Sequence, residues 1–155
     1  MTVQQFLTHH HITFQEFSHP PLFTVEQAKE REEKIPGMHT KNIFVKIKKG
    51  PCVMITIRAD KKLDTKMFKL QTGIKDFSFA TSNELMNEIH ITPGSVGIFG
   101  LINNPQIILY IDQDIRDASQ AGWHPNINTS TIVLTKQGLV EYLCACNITH
   151  KVIIL

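Results

Sequence analysis

Hydrophobic and polar positions alternate along this chain in short segments with sharp boundaries. Val3 to His10 reads as a short first helix, and "ITFQEF" alternates with the period of two expected of a half-buried strand. "HPPLF" is a stiff loop, because each proline fixes its own φ and restricts the residue before it. Thr24-Val-Glu-Gln27 has the form of a capping box and opens a helix through "AKEREEK" that ends at Ile35-Pro-Gly37. Asn42 to Ile47 then crowds β-branched and aromatic residues between polar ends. With the turn Lys48-Lys-Gly-Pro51 and the run "CVMITI", it predicts a hairpin.

The remaining segments follow the same logic. Asp64 is placed to cap a helix through "TKMFKLQTG" that Gly73 stops. "DFSFA" is a short strand, and Thr81-Ser-Asn-Glu84 is a second capping box, opening "ELMNEI". "TPGSVGIFGLINN" holds glycines at 94, 97 and 100 and suits neither helix nor central strand. "QIILYID" is a buried strand, "GWHPNINTS" a loop, "TIVL" a strand, "TKQGLVEYLCA" a helix and "KVIIL" a last strand. Hairpins and helices mix without strict βαβ alternation. The expected class is α+β: a single domain over 1–155, with a mixed, mostly antiparallel curved sheet and packed helices.

Within the hairpin, alternation puts Lys41 on the side of Ile43, Val45 and Ile47, and Asn42, Phe44 and Lys46 on the other. Both faces are largely apolar, as in a strand between two layers. A lysine at the mouth of such a strand either snorkels to solvent or serves as a cation beside an apolar pocket.

Composition sharpens this picture in three ways. The chain is 42% hydrophobic with no internal linker or repeat, its apolar runs are too short to span a membrane, and "MTVQQFLTHHH" lacks the form of a signal peptide, so a soluble cytoplasmic protein is expected. Three cysteines make no disulfide framework, and Cys52, Cys144 and Cys146 read as buried or partly buried structural thiols. The net charge of +2 hides an asymmetry. Residues 41–75 carry ten Lys or Arg against two Asp, a net +8, which leaves −6 for the rest. That segment is either a solvated lysine-rich hairpin and helix or a surface for a polyanion.

No nucleophile–base–acid pattern, metalloprotease helix or phosphate-binding P-loop is present, and His9-His10-His11 is a run of diverging side chains rather than a metal site. The glycines of 94–100 fit either a bulged corner or a loop whose backbone approaches a ligand. His19, ahead of two prolines, is an ordered loop residue or a pocket wall.

Four motifs, "HPPLFTVEQA", "HTKNIFVKIKKG", "ITPGSVGIFGL" and "GWHPNINTSTIVL", stand in an order and spacing that resemble the YbaK/prolyl-tRNA-synthetase-associated editing family. Within it, the second and fourth are most similar to free-standing alanyl-tRNA(Pro) deacylases of the ProX type. The resemblance implies hydrolysis of the ester between a wrong amino acid and the 3′ end of a proline tRNA. No cofactor or metal is then called for; the implied partners are tRNA and, as an open second candidate, prolyl-tRNA synthetase, with no membrane. It places Lys41, Gly94 and Ser95 in catalysis. To substrate binding it assigns Asn42, Lys46, Val96, Gly97, Ile98, Gly100, His124, Asn128 and Thr129. The family's loop usually reads Gly-x-x-x-Pro, whereas this chain has Ile98 at the proline position. With Ile98 as a wall of the acyl pocket, alanine is the first choice of substrate, and serine, threonine or another small residue stay open. The competing reading is a tRNA-holding or synthetase-docking module of the same fold that does not hydrolyse. A metal hydrolase built on histidines and cysteines is the third.

Overall fold

The computed structural model describes residues 1–21 and 25–155, with the side chain of Val25 also left aside. The end of "HPPLF" and the Thr24 capping box lie outside the described residues. The elements are α1 (Val3–His9), β1 (Gln15–Ser18), α2 (Val25–Lys34), β2 (Met38–Ile47), β3 (Cys52–Arg58), α3 (Thr65–Thr72), β4 (Phe77–Phe79), α4 (Ser82–Ile89), β5 (Ile108–Asp112), α5 (Gln113–Asp117), β6 (Gln120–Trp123), β7 (Ser130–Thr135), α6 (Lys136–Ala145) and β8 (His150–Ile153). Two 3₁₀ turns, Pro93–Ser95 and Ile98–Ile102, occupy the glycine-rich stretch.

The predicted caps form where the sequence places them. Thr81 and Glu84 exchange side chain–backbone hydrogen bonds in a capping box, Asp64 accepts from the Met67 N–H, and Gly73 ends α3 in the left-handed region at φ 76°. Two elements escape the sequence reading. β6 lies in what reads as loop, because its Gly and Trp precede a proline and turn residues. α5 follows β5 without a break, capped by the Asp112 carboxylate.

The strands form one mixed, open sheet in the order β1-β7-β6-β2-β3-β5-β8, with β4 also paired to β2. Antiparallel pairings (β1/β7, β6/β7, β2/β3, β2/β4) outnumber the parallel ones (β2/β6, β3/β5, β5/β8) by one, so the sheet is mixed with a small antiparallel majority. The β2–β3 hairpin is covered on both faces. Phe44 and Met54 pack with α1, α4, α6 and the second 3₁₀ turn. Val45, Val53, Ile55 and Ile57 pack with Phe68 of α3 and Tyr110. Phe68 is fully buried and meets the rings of Phe77 and Tyr110 edge-on at 5.2 and 5.4 Å. Two covered faces explain why both sides of β2 are apolar in sequence. Among the described residues no helix is long and apolar enough to cross a membrane.

Two expectations need correction. Cys52 and Cys146 are buried, but Cys144 is exposed on the outer side of α6. The basic segment is also less free than its composition suggests. Arg58 bonds Asp60 at 2.5 Å and Asp114 at 3.3 Å. Lys61 reaches Asp112 at 2.8 Å, Asp114 at 2.7 Å and the main-chain oxygen of Leu155 at 2.7 Å. Burial opposes the charge of Lys61, yet the hydrogen bonds and charges of Asp112 and Asp114 hold its pKa above the ordinary lysine value. Lys61 is therefore a tie between the β3 end and the β5–α5 corner rather than a cation offered to a polyanion. Because Asp112 is only 1% exposed, Lys61→Met would strand a buried carboxylate. We expect a loss of about 3 kcal/mol in chemical denaturation, largely recovered by adding Asp112→Asn. A melting profile unchanged by Lys61→Met would show the cluster to be slack.

Candidate active site

Strand β2 has β3 along one side for most of its length, from Thr40 to Lys46. Its other side is divided. Met38 and His39 pair with β6, and Val45 to Ile47 pair with β4. Between those partners, the edge at Thr40–Ile43 has no neighbouring strand and is bridged by side chains, while the Phe44 carbonyl beyond it accepts the Ala80 N–H at 2.9 Å. Thr40 Oγ1 donates to the Gly122 carbonyl at 2.7 Å, and Asn42 Nδ2 donates to the Val96 carbonyl at 3.3 Å. The glycine-rich loop thus closes against β2 where the sheet is interrupted.

That loop is also held from the β6 side. A Cβ on Gly97 would lie 2.8 Å from the His124 carbonyl oxygen and 3.5 Å from Trp123 Cβ, so only glycine allows this approach of two backbones. Asn128 Nδ2 lies 4.0 Å from where a Cβ would stand on Gly94. The Ser95 N–H is committed to the Thr92 carbonyl. Val96 closes the 3₁₀ turn onto Pro93, whereas among the described residues the N–H groups of Gly94 and Gly97 make no hydrogen bond. They are the donors this loop leaves available.

On the outer face of β2, β6 and β7 a polar group gathers beneath α2. His19 Nε2 lies 2.9 Å from Thr131 Oγ1, its backbone N–H donates to the Thr129 carbonyl, and its ring stands 5.8 Å from that of His124. His124 Nδ1 faces the Ser130 carbonyl at 2.9 Å. A carbonyl only accepts, so Nδ1 carries the proton and the neutral ring presents Nε2 as an acceptor. Burial is the main reason that His124 titrates below the ordinary histidine value, opposed by the Ser130 bond and helped by the charge of Arg31. His39, whose Nε2 is 3.3 Å from the Ile35 carbonyl, is lowered the same way, by burial and then by Arg31. Arg31, His39, Thr40, Gly122, His124 and Thr131 line one narrow cleft. Lys41 follows two residues after His39, about 7 Å along the same strand side. It is half-buried, and its side chain forms no hydrogen bond or ion pair among the described residues.

The sequence-predicted residues therefore divide. Asn42, Gly94, Val96, Gly97, His124 and Asn128 come together around the interrupted edge, with buried Ser95 in the same loop and exposed Thr129 beside it, tied to His19. Lys41 adjoins them on the outer face. Three do not meet the expectation. Lys46 stands roughly 16 Å further along β2, and its ammonium is turned back onto the carbonyls of Gly50 and Ile47 at the hairpin tip. Ile98 is no pocket wall: its side chain is fully buried in the core, and its carbonyl accepts the Tyr142 hydroxyl at 2.7 Å. Gly100 is likewise a core position, where a Cβ would lie 2.6 Å from Ile91 Cδ1. Ile98 and Gly100 follow the loop's turn inward, where the 3₁₀ geometry aims them at α4 and α6.

Arg31, His39 and Thr131 were missed. Arg31 sits in the charge-dense run "AKEREEK", where one more cation carries no signal. His39 and Thr131 acquire their place only through β6, the strand the sequence did not reveal.

With this geometry in view, comparison with known proteins is direct. The aminoacyl-tRNA editing domain family matches residues 19–142, and the chain belongs to that family. It is 27% identical to the prolyl-tRNA editing protein ProX of Acetoanaerobium sticklandii, over 92% of this chain and 88% of that one. It is 23% identical to prolyl-tRNA synthetase associated domain-containing protein 1 of Danio rerio, over 91% and 79%. A solved structure of a candidate trans-editing enzyme for prolyl tRNA synthetase superposes with a TM-score of 0.74 at 17% identity, covering 99% of this chain and 94% of that one.

The lowered histidines set a pH dependence. In the unfolded chain they take up protons near the ordinary value of about 6.5, whereas in the folded protein they resist until a lower pH. The unfolded state therefore binds more protons below neutrality, and stability falls as pH drops from 7 through 6.5 towards the folded values. His124→Asn, whose amide can still donate to Ser130, should show a smaller fall in melting temperature between pH 7.5 and 5.5 than wild type. Identical pH profiles would mean that His124 titrates normally.

Proposed function

We propose that this protein is a trans-editing deacylase, its editing domain spanning 1–155, that hydrolyses mischarged proline tRNA, with alanine the first candidate for the amino acid removed. Membership of the editing-domain family supports the reaction class. The names of its relatives, which carry prolyl-tRNA editing and association with prolyl-tRNA synthetase, support the tRNA and suggest that synthetase as a partner. The observation that carries the reading is Lys41: an ammonium with no acidic partner among the described residues, one residue from Asn42, whose side chain ties β2 to the glycine-rich loop.

The chemistry asks little of the protein, because an aminoacyl ester is already labile. Water adds to the ester carbonyl carbon, and negative charge develops on the carbonyl oxygen. Lys41, or the unengaged N–H groups of Gly94 and Gly97, stabilises that charge. The tetrahedral intermediate then collapses with cleavage of the bond to the ribose oxygen, which takes up a proton. Free amino acid and uncharged tRNA leave. The neighbouring ribose hydroxyl of the tRNA can position the water, which accounts for a site without a catalytic triad. In this reading His124 Nε2 and Asn128 hold the terminal nucleotide. Since Ile98 packs in the core, discrimination among small amino acids rests on the loop's backbone position rather than on contact with that side chain.

A hydrolysis panel of proline tRNA charged with Ala, Ser, Thr, Cys or Pro tests the reaction and its specificity together. Lys41→Ala should slow single-turnover deacylation by roughly a hundredfold or more, corresponding to about 2.7–4 kcal/mol of lost transition-state stabilisation. Its melting temperature should hold, because no cavity opens. Lys41→Arg should rescue poorly, since a planar fork does not occupy the place of a compact ammonium. Wild-type rates in a normally melting Lys41→Ala variant would remove Lys41 from the mechanism. Binding of tRNA without hydrolysis of any member of the panel would make the protein a docking module instead.

A further inference from the structure

The guanidinium of Arg31 is an unanswered charge. It makes no ion pair or hydrogen bond among the described residues, and its Nε is buried with no acceptor. Burial is the main influence on its pKa, which lies below the ordinary arginine value, with only the charge of Glu32 working the other way. Arginine does not escape such a position by losing its proton, so a half-buried, unpaired guanidinium costs folding free energy. The nearby acid that could have paired with it does not: Glu30 holds Lys34 at 2.9 Å.

The surroundings of Arg31 are already satisfied. His19 is fixed between the Pro20 carbonyl at 3.0 Å and Thr131 Oγ1 at 2.9 Å, His124 by Ser130, Thr40 by Gly122 and His39 by Ile35. None of these offers an oxyanion. Arg31 therefore stands as a preset donor in a rigid frame. On one side is the narrow cleft it shares with His39, Thr40, His124 and Thr131, His39 being on the strand side that carries Lys41. On the other is a crevice of about 260 Å³ between α2 and His19, Pro20 and Pro21.

We propose that Arg31 is a phosphate-binding residue, its guanidinium receiving a phosphodiester of the 3′-terminal nucleotides as the strand enters through the crevice between α2 and the His19–Pro21 loop. This rests on the deacylase reading for the identity of the strand. A guanidinium fork matches the paired oxygens of a phosphodiester. An aminoacyl ester has no carboxylate until it is cleaved, so before hydrolysis the phosphates are the substrate's anions. Arg31 then fixes the nucleotide chain on the α2 side while Lys41 works at the ester.

The test uses the full chain and the uncharged trinucleotide CCA, followed by NMR titration with the ring signals of His19, His39 and His124 as local probes. Wild type should bind with shifts at these three rings. Arg31→Gln should bind about tenfold or more weakly and lower the slope of log affinity against log salt by about one. A CCA analogue carrying neutral methylphosphonate linkages should bind weakly to wild type and be indifferent to Arg31→Gln. The melting temperature of Arg31→Gln should be unchanged or higher, since an unpaired buried charge has gone. Equal affinity and salt slope in wild type and variant would overturn the proposal. So would ring shifts produced by free alanine but not by CCA, which would make the crevice a carboxylate site for the released product. Arg31-dependent CCA binding by a wild-type protein that hydrolyses no charged tRNA would sink the deacylase reading while leaving the phosphate site standing.

Discussion

The interruption in the pairing of β2 is the constraint from which the rest of the site follows. One side of this strand is paired to β3 for most of its length, which holds it in the sheet centre. The other side is shared between β6, running parallel at its start, and β4, running antiparallel at its end. β6 pairs only as far as His39 and β4 begins only at Val45, so a gap is left between them. The unpaired edge has to be met by other groups, since a buried backbone polar group without a partner is costly. Here the neighbours are the glycine-rich loop, tied through Asn42, and the Gly122 carbonyl of β6, tied through Thr40. The break in the sheet is thus both a structural liability and the opening into which a ligand can reach.

Rigidity around that opening comes from two different sources. On the inner side, the loop is anchored by apolar packing: Ile98, Phe99 and Leu101 are fully buried, with Phe99 edge-on to Trp123 and Tyr142. On the outer side, histidines are fixed by hydrogen bonds to carbonyls and a threonine hydroxyl. The Gly97–His124 contact joins these two supports, because it presses the backbone of one against the backbone of the other. Lys41 and Arg31, without an ion pair among the described residues, stand on the outer side of this frame. The cations of the β3 end, Arg58 and Lys61, are instead neutralised by Asp60, Asp112 and Asp114. Lys41 and Arg58 stand one rung apart at the open end of the hairpin, yet one is left as an open charge and the other is tied to carboxylates.

What the sequence alone determined is what depends on residues close together in the chain. Alternation separates Lys41 from Phe44 because successive side chains on a strand must point to opposite faces, and the structure keeps that separation. The caps at Asp64, Gly73 and Thr81 follow from hydrogen bonds that span three or four residues. The ordered motifs carried the family resemblance, since several short segments at fixed spacing are specific even when each is weak. Tertiary structure decided everything that needs residues distant in sequence to meet. β6 exists as a strand because β2 and β7 pair with it, although its glycine and the following proline favour a turn. Lys61 is a tie because Asp112, 51 residues away, lies beneath it. Ile98 faces the core rather than a substrate because Tyr142 draws its carbonyl inward. Arg31 is left unpaired because its helix lies over histidines and not over a carboxylate. Charge and burial are properties of the assembled neighbourhood, and no local pattern records which cation finds a partner.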